Sequence, residues 1–452
     1  MQFRNLNFAL IVMAISLLAC EKDTPALPDN TIAFEAAEMG FDSDENAKTL
    51  VIQFSRAAEA SGEIIINVAS EGIDEEAVNC TPAVQNGKIT VDVTVGQTSA
   101  EITVTKMDGV FLSGDEWMTF TIETTPTALV IGDHQELKLQ FSSIVSAGAT
   151  MTLQGGEGGS AAANSVFVDF SNNQQTSVMR QSWNLGFYCG DEFAVILNNT
   201  TGSTALEVDF AVDKEVSNAD AESYATALAL TRSAADYNIV DDWSGDLSKT
   251  IVKEGKVYVV NLGDAQTPLY KVKVSQKDNN TYTLQYAKIT ESAVTSVDLG
   301  KETDHHFIYF SFTEGKTVTV APQKAKWDIM WSRTLYQTGA VGATLPYIFS
   351  DLVFINIRDG VEVTEVISDD SEISKTLFES LTLANAQSLT YSSQIDVIGS
   401  NWRNGGGPNT DPSVKNDRFY VVKDPAGNYY KLQFLSINEP RGYPQIKYVL
   451  IE

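Results

Sequence analysis

Chemistry in this chain of 452 residues would have to be done with few tools, because it holds only three His and three Cys. Two of the histidines, His305 and His306, are adjacent and stand just before an apolar run, Phe307 to Phe312. Imidazole ligates iron, zinc and copper, but successive residues of an extended chain point to opposite faces, so such a pair cannot grip one ion from one side. One of them could act with a distant thioether such as Met330 or Met179; a polar strand edge is the plainer reading. Tyr336 offers a phenol. The loop Ser400 to Pro408, Ser-Asn-Trp-Arg-Asn-Gly-Gly-Gly-Pro, sets Trp402 beside Arg403 in a glycine-rich stretch. An indole and a guanidinium displayed together suit stacking on a flat ligand or a sugar ring, or pairing with a carboxylate. A long glycine loop can equally be a bare hairpin tip.

No catalytic constellation accompanies these residues. There is no His-Glu-x-x-His, no Gly-x-Ser-x-Gly and no Gly-x-x-x-x-Gly-Lys-Ser/Thr, and nothing singles out one pair of carboxylates, so the sequence reads as a binding protein and not an enzyme. The charge balance narrows what could be bound. With 59 acidic against 31 basic residues and a net charge of -28, attraction to a phosphate backbone is excluded, and nucleic acid with it. The hydrophobic fraction of 43% and charged fraction of 20% are those of a globular protein. At roughly 150 residues per domain the length allows about three cores.

The elements that must position the candidates are mostly strands, and the chain reads as all-β. Residues 1–19 carry one charge, Arg4, then an apolar run from Phe8 to Ala19 that is too short for a stable membrane span and has the form of a secretory signal. Residues 20–30, with Pro25, Pro28 and Asp29, read as a tether. From 31 to 145 the pattern alternates with period two at Leu50–Phe54, Glu63–Val68, Lys88–Val95, Ala100–Thr105, Met118–Glu123 and Leu137–Phe141, which predicts an Ig-like β-sandwich. Residues 146–165 contain Gly-Gly-Glu-Gly-Gly-Ser and read as a flexible linker. Helical period is confined to Ala219–Ser233 and Ser371–Leu381.

Beyond the linker lies an internal repeat, predicted as one copy over 166–293 and a second over 296–452. In the first, a strand Val166–Phe170 precedes Trp183-Asn184-Leu185, then Tyr258-Val259-Val260, Tyr270-Lys271 and a closing Tyr282–Ile289. In the second, Phe307–Phe312 precedes Trp327-Asp328-Ile329, then Tyr420-Val421-Val422, Tyr430-Lys431 and a closing Ile446–Ile451. Trp327, Ile329 and Trp331 share one strand face and read as core. Cys80 and Cys189 fall in different predicted domains, so a disulfide between them is not expected.

Four resemblances add to this. Leu17-Leu18-Ala19-Cys20 resembles the lipobox of bacterial lipoproteins, which implies that Cys20 is acylated and that a lipid anchor is the protein's only membrane contact. The acidic Glu21-Lys22-Asp23 resembles the tags that direct such proteins to the outer surface of an outer membrane. The segment from Thr31 to Ser55 is loosely similar to Calx-β repeats, which implies calcium between loops, with Asp42, Asp44, Glu45, Asp115 and Glu116 as the oxygen donors; solvated loop carboxylates are the plainer reading.

The fourth resemblance covers 296–452 well and 160–293 more weakly. Trp327-Asp328-Ile329 with Arg333, the preceding Phe310-Ser311-Phe312 and Gly315, and Phe419-Tyr-Val-Val-Lys-Asp-x-x-Gly-Asn-x-Tyr-Lys-Leu-Gln-Phe434 resemble the HmuY family of bacterial haem-capturing lipoproteins. The first copy departs from the pattern, with Asn184 for the Asp and no Arg matching Arg333. The resemblance implies two tandem β-domains binding haem or a related porphyrin for iron acquisition, with an outer-membrane uptake receptor as partner. The family's axial His or Met pair is not carried over, because Thr334 to Arg418 contains neither. Iron would then rest on a phenolate such as Tyr336, Tyr347 or Tyr391, or the porphyrin on packing alone. A surface glycan-binding or adhesion role, or a structural accessory of an uptake complex, would suit the same features.

Overall fold

The computed structural model describes residues 29–41, 45–73, 77–107, 116–141, 146–264, 266–340, 342–406, 410–438 and 440–451. Cys20, Asp42, Asp44 and Asp115 lie outside them. The protein is built mainly of β-strands, with three α-helices among the described residues, Asn218–Ala227, Ser371–Ser380 and Leu383–Gln387. None of these is long and apolar enough to cross a membrane. The chain divides into two compact units near residue 142.

In the first unit, period-two alternation becomes two five-stranded sheets. One runs Val78–Thr81, Ser99–Lys106, Ala47–Phe54, Thr31–Phe34, Val130–Ile131; the other runs Glu38–Gly40, Glu136–Gln140, Trp117–Thr124, Gly62–Glu71, Lys88–Val93. Lys88–Val93 alternates exposed polar with buried apolar residues throughout, as a strand with one wet face must. Ile32, Leu50, Ile66, Ile102, Phe120 and Leu139 are fully buried. Glu45, one of the donors implied by the Calx-β likeness, pairs with Lys48 at 2.8 Å.

The second unit repeats a two-layer plan twice, but the copies do not follow the boundaries expected from the sequence. Val166–Val168 pairs with Ile329–Trp331 of the other copy, and Leu185–Tyr188 pairs with Phe307–Phe310. Val166, Val168 and Phe170 accordingly lie in one core with Trp331, Trp402, Tyr430 and Tyr448, whereas Ile308, Phe310 and Phe312 lie in another with Leu185, Tyr258, Tyr270 and Tyr286. Each repeat's opening strand completes the other repeat. The cause is local: Thr295–Gly300 folds straight back on Thr281–Lys288 as an antiparallel neighbour, which carries the next strand into the core already being built. One half is therefore contiguous, about 183–318, and the other joins 146–179 to 327–451.

The predicted linker is corrected with it. Gly148–Thr152 is a strand paired to Gln445–Val449, and Gly155, which opens the glycine run, is buried against the core. A Cβ on Gly155 would run into the Trp331 ring and the Gly442 carbonyl, so glycine is there to let backbone approach an indole. Ala162 is buried, and Arg180 fastens the loop by donating to the carbonyls of Ala161 at 2.8 Å and Ala162 at 2.7 Å.

Matching contacts relate the halves. Asp328 Oδ2 accepts the Phe170 N–H at 2.7 Å, and Asn184 Oδ1 accepts the Phe312 N–H at 2.7 Å. Phe170 lies 5.6 Å from Tyr430 and 4.6 Å from Tyr448; Phe312 lies 4.7 Å from Tyr270 and 5.0 Å from Tyr286. Burial, with Asp169 and Asp424 nearby, pushes the Asp328 carboxyl well above the usual carboxylate range.

Two outcomes are expected. A carboxyl whose pKa rises on folding adds stability at low pH that is lost as pH climbs past its ordinary value. Asp328→Asn should therefore keep the fold, since Asn184 does the same work, and its melting temperature relative to wild type should rise as pH climbs above about 4; a difference that stays flat across calorimetric scans would contradict the assignment. Second, cleavage at a protease site engineered between Ser292 and Ala293 should leave two fragments that co-elute under native conditions. Fragments that part without denaturant would rule out the exchange.

Candidate ligand-binding face on the long hairpin

The longest strands among the described residues, Ile329–Ala340 and Ala343–Ile355, form a hairpin of twelve and thirteen residues. Its register sets Met330 opposite Phe354, Thr334 opposite Phe349 and Tyr336 opposite Tyr347, so these side chains share one face. Tyr347 and Phe349 are 5.1 Å apart, Tyr336 and Phe349 5.5 Å, and Tyr336 and Phe354 6.3 Å. From the other half of the unit Trp243 meets Tyr336 edge-on at 4.6 Å. Trp243, Tyr336, Tyr347 and Phe349 are only half-buried, which leaves a strip of aromatic surface in contact with water. Polar groups border it: Asp396 accepts the Tyr336 hydroxyl at 2.7 Å, and Arg232 lies 5.1 Å above the Tyr347 ring. Aromatic surface with a few fixed polar groups is what a flat ring ligand requires.

A bulge interrupts the hairpin. Ser332 faces Leu352 and Thr334 faces Phe349, so Arg333 stands against two residues, Ser350 and Asp351. Asp351 has φ 55, a left-handed backbone that aspartate adopts only at a cost. Trp402 and Arg403 are what hold it. Trp402 is 1% exposed, stacks on Phe434 at 4.3 Å and donates Nε1–H to the Asp351 carbonyl at 3.1 Å. Arg403, also buried, donates to the Asp351 carbonyl at 3.3 Å and to the Ser350 carbonyl, and Arg441 reaches the Asp351 carboxylate at 2.8 Å. The expectation that Trp402 and Arg403 display themselves on a glycine loop is thus corrected: an indole beside Phe434 gains more from burial than from water, and the guanidinium replaces its hydration with backbone carbonyls.

The other predicted donors are scattered. His305 Nδ1 lies 3.0 Å from Glu302 and 3.0 Å from Asp304. His306 Nε2 meets Asp359 at 2.8 Å, and Asp359 also accepts Ala325 N–H at 2.8 Å and the Asn356 amide at 2.7 Å. Burial pushes the Asp359 carboxyl up, but these hydrogen bonds outweigh it and hold it below its ordinary range. The two imidazoles therefore serve different carboxylates. Glu302, Asp304 and His305 form a group with metal-ligand spacing among the described residues, but two of its three members are exposed. Of the predicted candidates, Met330, Tyr336 and Tyr347 lie on the hairpin's aromatic face. Burial and the Asp396 carboxylate push the Tyr336 phenol up, which opposes the phenolate an iron ligand would need. Tyr391 is likewise pushed up by burial, and donates to the Ala386 carbonyl at 2.8 Å.

Sequence reasoning missed Trp243, Phe349, Arg232 and Arg358. The alternation of Tyr347 with Phe349 was a usable signal, since aromatics on an exposed strand face need a reason; Trp243, in Asp-Asp-Trp-Ser-Gly, offered none. Arg358 ties the two regions together, lying over the Tyr188 and Phe307 rings at 5.5 Å and 5.4 Å while donating to the Gly245 carbonyl at 2.7 Å. If Trp402 is a brace, Trp402→Phe should keep the stacking and lose one hydrogen bond, costing about 1 kcal/mol in urea unfolding. Unchanged stability would show that the indole N–H is not needed.

The family model described as HmuY protein matches residues 303–448, about a third of the chain and the whole of the hairpin. No curated protein matches the sequence. Among solved structures, the apo form of the Calx CBD1 domain is 6% identical, covering 25% of this chain and 98% of its own, at a TM-score of 0.21. A two-domain protein of unknown function from Bacteroides fragilis is 9% identical over 71% of this chain and 91% of its own, at 0.19. A putative carbohydrate binding protein from Bacteroides ovatus is 12% identical over 73% and 98%, also at 0.19.

Proposed function

We propose that this chain is a ligand-capture lipoprotein, anchored through Cys20 at a bacterial outer surface, whose hairpin face takes up a flat ring ligand of the haem or porphyrin class for delivery to an uptake receptor. It is a binding protein and not an enzyme. The half-buried strip of Trp243, Tyr336, Tyr347 and Phe349 carries this reading, and the HmuY match over 303–448 supports it. The matching contacts of Asp328 with Phe170 and of Asn184 with Phe312 support reading the other half as a second, divergent copy.

The residues fit a porphyrin ring better than they fit its iron. Stacking surface is present, whereas His305 and His306 are engaged by carboxylates and Tyr336 is held protonated. Capture would rest on packing, with Met330 as the one soft donor on the face. Metal-free protoporphyrin and ferric haem should therefore bind residues 21–452 with affinities within about ten-fold of each other, and haem should show no bis-imidazole spectrum. Trp243→Ala should weaken both. Haem binding far tighter than the free base, with a six-coordinate low-spin Soret band, would overturn packing-only capture.

A sugar ring is the second reading, favoured by Asp396 and Arg232 at the margins of the strip, where they could meet hydroxyl groups. Binding on a glycan array that is lost with Trp243→Ala, in a protein indifferent to porphyrin, would select it.

A further inference from the structure

A carboxylate without a cation is ordinary in a protein with 59 acidic and 31 basic residues. Asp396 is set apart by its surroundings. It is half-buried at the margin of the aromatic face, where Oδ2 accepts the Tyr336 hydroxyl at 2.7 Å. Its other oxygen accepts no hydrogen bond among the described residues, and no Lys, Arg or His of these pairs with it. Such a carboxylate has given up part of its hydration to aromatic rings and has gained no counter-charge.

Both sides of this margin are anchored. Three backbone bonds tie residues 395–399 to the hairpin: Ile355 donates to the Ile395 carbonyl at 3.0 Å, Val353 to that of Gly399 at 3.0 Å, and Gly399 to that of Val353 at 2.9 Å. On the side of Trp243, Asp241 accepts the N–H groups of Leu197 at 2.6 Å and Ile251 at 2.7 Å, and the Gly245 carbonyl takes Arg358 at 2.7 Å. Between these anchors Trp243 meets Tyr336 at 71°, and Tyr336 meets Phe349 at 85°, so ring faces turn in different directions around the Tyr336–Asp396 pair. Ring faces attract cations, and this surface already holds one, the Arg232 guanidinium 5.1 Å above Tyr347.

We propose that Asp396, with the rings of Tyr336 and Trp243, forms a cation subsite at one margin of the aromatic face, which selects ring ligands bearing an ammonium group. The inference rests on the stacking face and adds to it the sign of the ligand's charge. An ammonium there would supply Asp396 Oδ1 with a charge-assisted donor while its remaining surface met the rings. A bound porphyrin would have to turn its own carboxylates to another edge.

The probes are 1-pyrenemethylammonium and 1-pyrenemethanol, which share a ring and differ in charge, followed by fluorescence titration of residues 21–452. The ammonium should bind about ten-fold or more tightly than the alcohol. Any cation is drawn to so acidic a chain, so Glu63→Gln, an exposed change in the first unit, controls for overall charge and should keep the preference. Asp396→Asn, whose amide oxygen can still accept the Tyr336 hydroxyl, should bring the ammonium to within about two-fold of the alcohol. In the wild type the preference should shrink with added salt. Equal affinities, a preference that survives Asp396→Asn, disappears with Glu63→Gln or ignores salt, or no binding of either probe up to its solubility limit would overturn the subsite. Protoporphyrin and ferric haem separate this claim from the porphyrin reading. If both fail to bind while the pyrene ammonium is preferred, the porphyrin reading falls and the cation subsite stands; if both bind and the two pyrenes are not distinguished, the reverse holds.

Discussion

The second unit depends on one constraint: the strand that opens each repeat can bury its apolar face only in the other repeat. Val168 and Phe170 have no core of their own to enter, and Phe310 and Phe312 have none either. Where each crossing strand arrives, a side-chain oxygen from the partner's Trp-Asp or Trp-Asn pair takes its free N–H, and three aromatic rings close over it. A buried backbone donor left unpaired would cost about 1–3 kcal/mol, so the pairing fixes register as well as filling space. The binding face follows from this. Trp243 and Arg232 belong to the contiguous half and the hairpin to the discontinuous one, and they meet because the exchange holds the halves together.

Bracing beneath the face is heavier than the face itself. Trp402, Arg403, Arg441 and Asp351 are nearly all buried and bonded to each other or to backbone, whereas the strip above them is open. Precision in a binding surface comes from the layer that fixes it, and here that layer is polar and bonded to the hairpin backbone. The conspicuous residues of the sequence went into support, and the inconspicuous ones into contact.

Much of the fold was legible. Alternating residues gave the sandwich strands to within a few positions, because a two-layer sheet imposes period two directly on sequence. The repeat was legible through Trp183 and Trp327, Tyr258 and Tyr420, Tyr270 and Tyr430. The exchange was not, because two copies of one pattern look the same whether each strand pairs at home or abroad. The glycine run misled for a similar reason: composition does not distinguish glycine that frees a chain from glycine that admits Trp331. In the site, the Tyr336 position on the hairpin was within reach of sequence reasoning. The Asp351 bulge, which Trp402, Arg403 and Arg441 hold, depends on contacts from residues fifty to ninety positions away.

The pairing of Gly148–Thr152 with Gln445–Val449 joins places almost three hundred residues apart. During synthesis the contiguous half can close as soon as residue 318 is made, but the first strand of the discontinuous half must wait, with its apolar face open, for nearly the last residues of the chain. Loop closure over that distance is slow compared with closing a hairpin. The discontinuous half thus matures last, around a neighbour that has already folded, and its binding hairpin is completed against a finished surface. Assembly order is written into the connectivity, with the contiguous half serving as the template on which the ligand face is built.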